Sequence, residues 1–231
     1  MMNTPTLLLL ASLLSLGRIL AIMLVEGFSK TNWAAKRAVY PARPIPHRNQ
    51  EYFIFCMGIL IEAVLLVILL KFSIIHFNAT SLWGVVVLLL SFMFIVEPIY
   101  YFYHRLLHTK FLYKRFHIHH HRAIVPTPIS AFYFTLTERL SYTVLFVLPL
   151  FLLSALNLLS IPLLVIFTLS FDIINALGHT NTQLFSENYK KSIWHLFFYS
   201  PDFHGDHHKY FRTNYSLFMP LWDKLFKTYR S

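Results

Sequence analysis

The chain has 231 residues, room for one compact domain, and 56% of them are hydrophobic while only 13% are charged. That balance makes lipid rather than water the main solvent and leaves a soluble helical bundle a poor fit. A formal net charge of +10 invites a nucleic-acid reading, but the cations sit in short loops beside apolar runs, where they meet anionic headgroups, so that class is set aside.

A spanning helix needs about 20 mostly apolar residues, and the runs are taken in order. The first is Leu7 to Val25, broken only by Gly17 and Arg18. No basic stretch precedes it and Arg18 falls inside it, so it reads as a retained span and not a secretory signal. The segment Glu26 to Glu51 carries Lys30, Lys36, Arg37, Arg43 and Arg48, and its Tyr40 to Pro46 stretch, with three prolines, reads as an extended crossing rather than a domain boundary. The second run, Tyr52 to Ile75, holds Cys56, Glu62 and Lys71; a lone cysteine allows no disulfide within the chain. The link His76 to Ser81 has no Lys or Arg, and its Asn78-Ala79-Thr80 sequon, in so short a link, is taken as chance.

The third run, Leu82 to Tyr103, carries Glu97 and leads into a basic segment, His104 to Leu140. Two further runs, Ser141 to Leu156 and Leu158 to Leu177, are split around Asn157 and Ser160-Ile161-Pro162 and read as a hairpin. The tail is basic again, from Lys190 to Arg230. Basic loops stay cytoplasmic, so one threading fits: N-terminus outside, the Glu26 to Glu51 loop inside, a hairpin out and back, a second hairpin, and a cytoplasmic C-terminus. The expected fold class is all-α: a multi-pass membrane helical bundle of about four to five spans with a histidine-rich metal-binding cap on the cytoplasmic side.

Thirteen histidines occur, and their placement carries the chemistry. His47 and His76 stand alone near membrane edges and read as surface residues. His104 and His108 lie four apart, on one face if the third helix continues. His117, His120 and His121 lie at i, i+3 and i+4, and His204, His207 and His208 repeat that spacing; a helical turn would put each trio on one side. His119 would point elsewhere. His179 follows the last span, with Asp172 and Asn175 on the same helical stripe. Both are candidates to bond a ligand imidazole, Asp172 having pairing with Arg or Lys as its alternative. One HxxxH and two HxxHH groups on one side of a membrane exceed what a single ion takes, so two metals are implied; imidazole alone does not choose among zinc, iron, copper and nickel.

The HxxxH, HxxHH, HxxHH order over a membrane frame resembles the fatty acid hydroxylase / sterol desaturase superfamily, across roughly Glu97 to Tyr229. Its most specific stretch is Ser200-Pro201-Asp202-Phe203-His204-Gly205-Asp206-His207-His208, followed by Phe211 to Asp223. With the runs His117 to His121 and Gly178-His179-Thr180-Asn181, this tail looks most like the amino-terminal part of plant wax-forming aldehyde decarbonylases. The resemblance implies residues 91–231 as the catalytic domain, behind N-terminal helices and a basic loop in 1–90. It implies metal ligands at His104, His108, His117, His120, His121, His179, His204, His207 and His208, with further matching positions around Asp172, Asn175 and Glu138.

What it implies chemically is a centre of two Fe ions, replaceable by Zn in a purified sample, that uses O2 to hydroxylate or desaturate a fatty acyl or sterol-like lipid from the bilayer. The chain stops at Ser231 without the soluble C-terminal domain of the plant proteins, so an aldehyde-deformylating, alkane-forming reaction is kept as the alternative. It carries no fused cytochrome or ferredoxin-like segment, so a separate electron donor (cytochrome, ferredoxin or reductase) is expected. A different class, a membrane metal transporter or buffer, would place paired ligands near the midplane of its spans, whereas here the histidines gather at one face.

Overall fold

The structure, a computed structural model, describes residues 2–44 and 47–230; Ile45 and Pro46 of the expected extended crossing, and Ser231, lie outside the described residues. Five helices are long and apolar enough to cross a membrane: α1 (Thr4–Ser29), α2 (Arg48–Lys71), α3 (Leu82–Leu107), α4 (Leu136–Ala155) and α5 (Ile161–Gly178). The protein is therefore a multi-pass helical membrane bundle, and α6 (Pro201–Tyr210) and α7 (Pro220–Leu225) follow it. Its outward side chains are apolar, with Leu24, Leu82, Trp83 and Leu89 all exposed, as helices facing lipid require.

Local chemistry sets the helix ends. Asn3 caps α1 through its side-chain oxygen, which accepts from the Thr6 amide at 2.9 Å, and Thr135 caps α4 by accepting from the Glu138 amide at 3.3 Å; such a cap contributes about 1 kcal/mol. The Thr135 cap starts α4 five residues ahead of the apolar run, which brings Glu138 and Arg139 into the helix. Pro98 cannot donate a backbone hydrogen bond, and just before it α3 widens into a π turn over Phe92–Val96, with the Glu97 amide reaching back to the Phe92 carbonyl. Asn157, left-handed at φ 57°, closes the hairpin between α4 and α5; Asn tolerates that region better than most side chains.

The loops then sort to two ends. The link after α2 meets the α4–α5 hairpin, where the Asn78 amide donates to the Leu159 carbonyl at 2.7 Å and His76 Nε2 lies 2.9 Å from Asn157 Oδ1. At the opposite end the segment after α1 runs beside the turn after α5, with the Val39 amide on the Asn181 carbonyl at 2.9 Å and the Gln183 amide on the Arg37 carbonyl at 2.8 Å. The α3–α4 connection and the chain beyond α5 share that second end, where the histidines gather.

Inside the bundle, four charges on four spans meet. Arg18 of α1 lies 2.6 Å from both Asp172 of α5 and Glu62 of α2, and Arg139 of α4 reaches Glu62 at 3.2 Å. Gly58 lets this happen: a Cβ there would sit 2.1 Å from the Arg139 guanidinium. Asp172 was expected on the histidine side with a ligand imidazole as one possible partner. Its other expected partner, a cation, is the one the structure supplies: Asp172 is buried against Arg18, which a carboxylate inside a lipid-facing bundle needs.

Candidate metal centre

Two histidine groups form at the loop-rich end. His104, His108, His117, His121 and His207 make one, and His120, His179, His204 and His208 the other; within each, the ligand atoms lie within 4.8 Å of one another. In the first group Nε2 of His117 is 3.1 Å from that of His104 and 3.0 Å from that of His121, and Nε2 of His207 is 3.1 Å from those of His121 and His108. In the second, His208 and His204 approach at 3.1 Å through Nε2. Nitrogens bound at right angles about an ion roughly 2.1 Å away stand roughly 3.0 Å apart. The rings are thus spaced as a metal site spaces them.

The expected helical turn is corrected for one of the two trios. His117 ends a π turn (Tyr113–His117) and His120 starts a 3₁₀ turn (His120–Arg122), so the second box is not α-helical. Its His117 and His121 join the five-histidine group while His120 joins the other. In α6, which is a regular helix, His207 parts from His204 and His208. Each HxxHH box thus feeds both groups, and the two groups share a wall, with the rings of His121 and His208 4.6 Å apart.

Second atoms fix the rings. Nδ1–H of His104 donates to the Tyr215 carbonyl at 2.7 Å, that of His207 to Thr213 at 2.7 Å, that of His179 to Asn175 at 2.8 Å and that of His208 to Ala123 at 3.0 Å. A carbonyl only accepts, so in these four rings Nδ1 carries the proton and Nε2 keeps its lone pair, the tautomer a metal ligand needs. His179 Nε2 is buried with no hydrogen-bond partner, the mark of a group built for something other than protein. His117 Nδ1 lies 2.5 Å from Glu138 Oε1. Asn175 therefore acts through its backbone carbonyl, not the side chain that the helical stripe singled out.

The carbonyls of Thr213 and Tyr215 lie on an irregular strap, and carboxylates hold it. Asp223 accepts from the amides of Tyr215 and Ser216, both at 2.8 Å, and Glu97 of α3 accepts from the Phe218 amide at 2.7 Å. No residue pattern announces a carbonyl, so the strap's role was not legible in the sequence, although the resemblance marked the stretch Phe211 to Asp223 and Glu97 stood out in an apolar run.

Burial lowers the pKa of the rings beyond the spans: His179 to about 4 and His108 to about 2, with His120, His121, His204, His207 and His208 well below the usual value. The rings are neutral at pH 7, as metal binding requires. His119 lies outside both groups, part-exposed with its ring 5.8 Å from that of Tyr133. His47 and His76 likewise lie outside both groups, and His195, which the box spacing did not single out, is buried beside Ser200. Of the nine clustered histidines only His104 lies within a span, unlike the mid-membrane ligands of a transport site.

A membrane helical bundle that gathers nine histidines at one end, in two groups that could each hold a metal ion, defines a class, the histidine-rich membrane proteins. Within it the chain belongs to the fatty acid hydroxylase family, whose model matches residues 88–228. It is 40% identical over 159 residues to Protein CER1-like 1 of Arabidopsis thaliana, covering 66% of this chain and 25% of that one. It is 40% identical over 139 residues to the very-long-chain aldehyde decarbonylase CER1 of the same plant (58% and 22%), and 36% identical over 158 residues to the very-long-chain aldehyde decarbonylase GL1-7 of Oryza sativa subsp. japonica (66% and 25%). The chain spans about a quarter of the length of these curated relatives. No solved structure matches it.

Proposed function

We propose that this protein is a di-iron oxidoreductase that uses O2 and electrons from a separate donor to hydroxylate or desaturate a long-chain lipid, with the nine clustered histidines as iron ligands and their end of the bundle on the cytoplasmic side. The observation that carries the reading is the pair of adjoining all-histidine groups, five and four rings, in a member of this family. Iron bound there would supply oxygen activation, the one chemistry the side chains lack.

The chain's own residues do the rest. Carbonyls of Tyr215, Thr213, Asn175 and Ala123 orient four rings, and the Glu138 carboxylate orients His117 and raises its basicity. An apolar groove of about 280 Å³ between α3 and α5, lined by Leu88, Phe92, Phe167, Phe171, Ile174 and Phe218, supports entry of an alkyl chain from the bilayer. Its Phe218 belongs to the strap whose Tyr215 and Thr213 carbonyls hold His104 and His207, which ties one wall of the groove to the histidine end. The relatives named very-long-chain aldehyde decarbonylases favour a second reading, removal of the aldehyde carbon from a very-long-chain aldehyde.

The test is iron-loaded protein in lipid nanodiscs with O2 and a chemical reductant, offered a long-chain acyl lipid and a long-chain aldehyde, with products read by mass spectrometry. Hydroxylated or unsaturated acyl product supports the proposal, an alkane one carbon short supports the second reading, and no O2-dependent product from either overturns both.

A further inference from the structure

One face of α7 grips the metal end and the other is bare. Asp223 is fully buried and holds the amides of Tyr215 and Ser216, which sets the Tyr215 carbonyl where His104 donates to it. The chain just past α7 adds two bonds: the Asn214 amide donates to the Thr228 carbonyl at 3.0 Å, and the Arg230 amide to Asn214 Oδ1 at 2.7 Å. Leu225 and Phe226, by contrast, are 62% and 37% exposed. The turn Ile193–Leu196 packs beside α7 and leaves Ile193 62% and Trp194 69% exposed. Large apolar side chains bared together on a surface mark a contact with something else.

The place of α7 along α3 identifies the contact. The Phe226 ring stacks on Tyr101 at 5.2 Å and meets Phe102 edge-on at 5.0 Å. Phe102 precedes Leu107, the end of α3, by five residues, roughly 7.5 Å down the axis at about 1.5 Å per residue. The segment α7 therefore hangs beside a span and does not stand above it. Ile99, Phe102 and Leu106 form an exposed apolar stripe on α3, and Phe226 and Leu225 continue it sideways. Lys191, Lys224 and Lys227, next in sequence to these apolar groups, are exposed too. Apolar and aromatic side chains with lysines beside them compose a segment that lies in the membrane interface, sunk about 5–10 Å, its lysines snorkelling to the headgroups.

We propose that α7 and the turn Ile193–Leu196 lie in the headgroup–acyl boundary of the leaflet on the metal side, and that this lipid contact seats the strap that orients His104 and His207. The depth of α7 stands apart from any metal; its effect on the centre rests on the metal reading above.

The experiment places the full chain in phosphatidylcholine nanodiscs, in a Cys56→Ser background, with a nitroxide label on one introduced cysteine at a time. Dissolved O2 concentrates in the acyl region and a nickel chelate stays in water, so the ratio of their collision rates with the label reads depth. Labels at Ile193→Cys and Leu225→Cys should fall between Leu13→Cys, on the exposed face of α1, and Lys114→Cys, in an exposed loop. Labels as open to nickel as Lys114→Cys put α7 in water, and labels closed to both reagents put it against protein; either result overturns the proposal. Trp194→Glu/Leu225→Glu, at two exposed positions, should then move the Ile193→Cys label toward water. It should also lower the chelator concentration that releases metal by up to about tenfold, the low end of what losing a ligand's outer partner costs. Unchanged metal retention overturns the link to the strap. A wild type that takes up no metal would overturn the metal reading itself, whatever depth the labels report.

Discussion

Nε of Arg18 in α1 stands 2.6 Å from Oδ2 of Asp172 in α5, and the same guanidinium stands 2.6 Å from Glu62 of α2. One cation thus neutralises two carboxylates, with Arg139 sharing Glu62 at 3.2 Å. Removing one partner of a buried pair costs about 3–5 kcal/mol because it strands the other charge, whereas removing both together is often close to neutral. Asp172→Leu and Arg18→Met alone should each lower the melting temperature markedly in detergent. The double substitution leaves Glu62 with Arg139 and should recover much of the loss. Single variants as stable as wild type would show that the network contributes nothing.

This network also marks where the sequence ran out. The apolar runs, the hairpins and the HxxxH and HxxHH boxes are local patterns, and the five helices and clustered histidines follow them. For Asp172 the sequence offered two rivals, a metal-side imidazole and a place at the membrane interface, hydrated or paired with Arg or Lys. The choice depended on Arg18, 154 residues away, which no local pattern ranks. The division of the second box was hidden for a related reason: His117 ends a π turn and His120 starts a 3₁₀ turn, which spacing alone does not announce, while the histidines of the regular helix α6 divide because the two groups adjoin.

Glu138 tests the support of the first group. It occupies the third position of α4, where a capping box would return its carboxylate to the Thr135 amide, yet its Oε1 lies 2.5 Å from His117 Nδ1. Loss of such a partner typically costs about 10- to 100-fold in metal affinity. Glu138→Ala should release metal at that much lower chelator concentration, and Glu138→Gln, which keeps an acceptor oxygen, should fall between it and wild type. Identical chelator titrations for Ala and wild type would remove Glu138 from the site.

Asp223 tests the strap. Its carboxylate accepts the Tyr215 and Ser216 amides and the Thr228 hydroxyl, so Asp223→Ala should let the Tyr215 carbonyl drift from His104 without touching any histidine. The expected result is weakened metal retention with far-ultraviolet helicity unchanged; Asp223→Asn, with one acceptor left, should lose less. Full metal retention by the Ala variant would mean the strap stands without it.

His207 and His120 belong to different groups, which gives the proposed ligands a sharp comparison. His207→Ala should reduce metal mainly at the five-histidine group and His120→Ala at the four-histidine group, and each should abolish oxidation, because the reaction proposed needs both ions. His119→Ala and His47→Ala, outside both groups, should retain metal and most activity. Elemental analysis alongside the product assay checks this; a His119 variant as damaged as the His120 variant would contradict the geometry.

The last prediction concerns which side of the membrane the metal end faces. The loops at that end carry Lys36, Arg37, Lys110, Lys114, Lys190 and Lys191, while the link from His76 to Ser81 at the other end has no Lys or Arg. Basic loops are retained in the cytoplasm, so the histidine end should be cytoplasmic and the link outside. Even numbers of crossings separate the histidine segments, α4 and α5 lying between His121 and His179, so both segments must share whichever face is correct. In a Cys56→Ser background, a cysteine at Thr80 should react with an impermeant reagent in intact cells, and cysteines at Lys114 and Lys191 should react only after the membrane is opened. The reverse pattern would invert the orientation, while labelling of Lys114→Cys but not Lys191→Cys in intact cells would be incompatible with a single metal end.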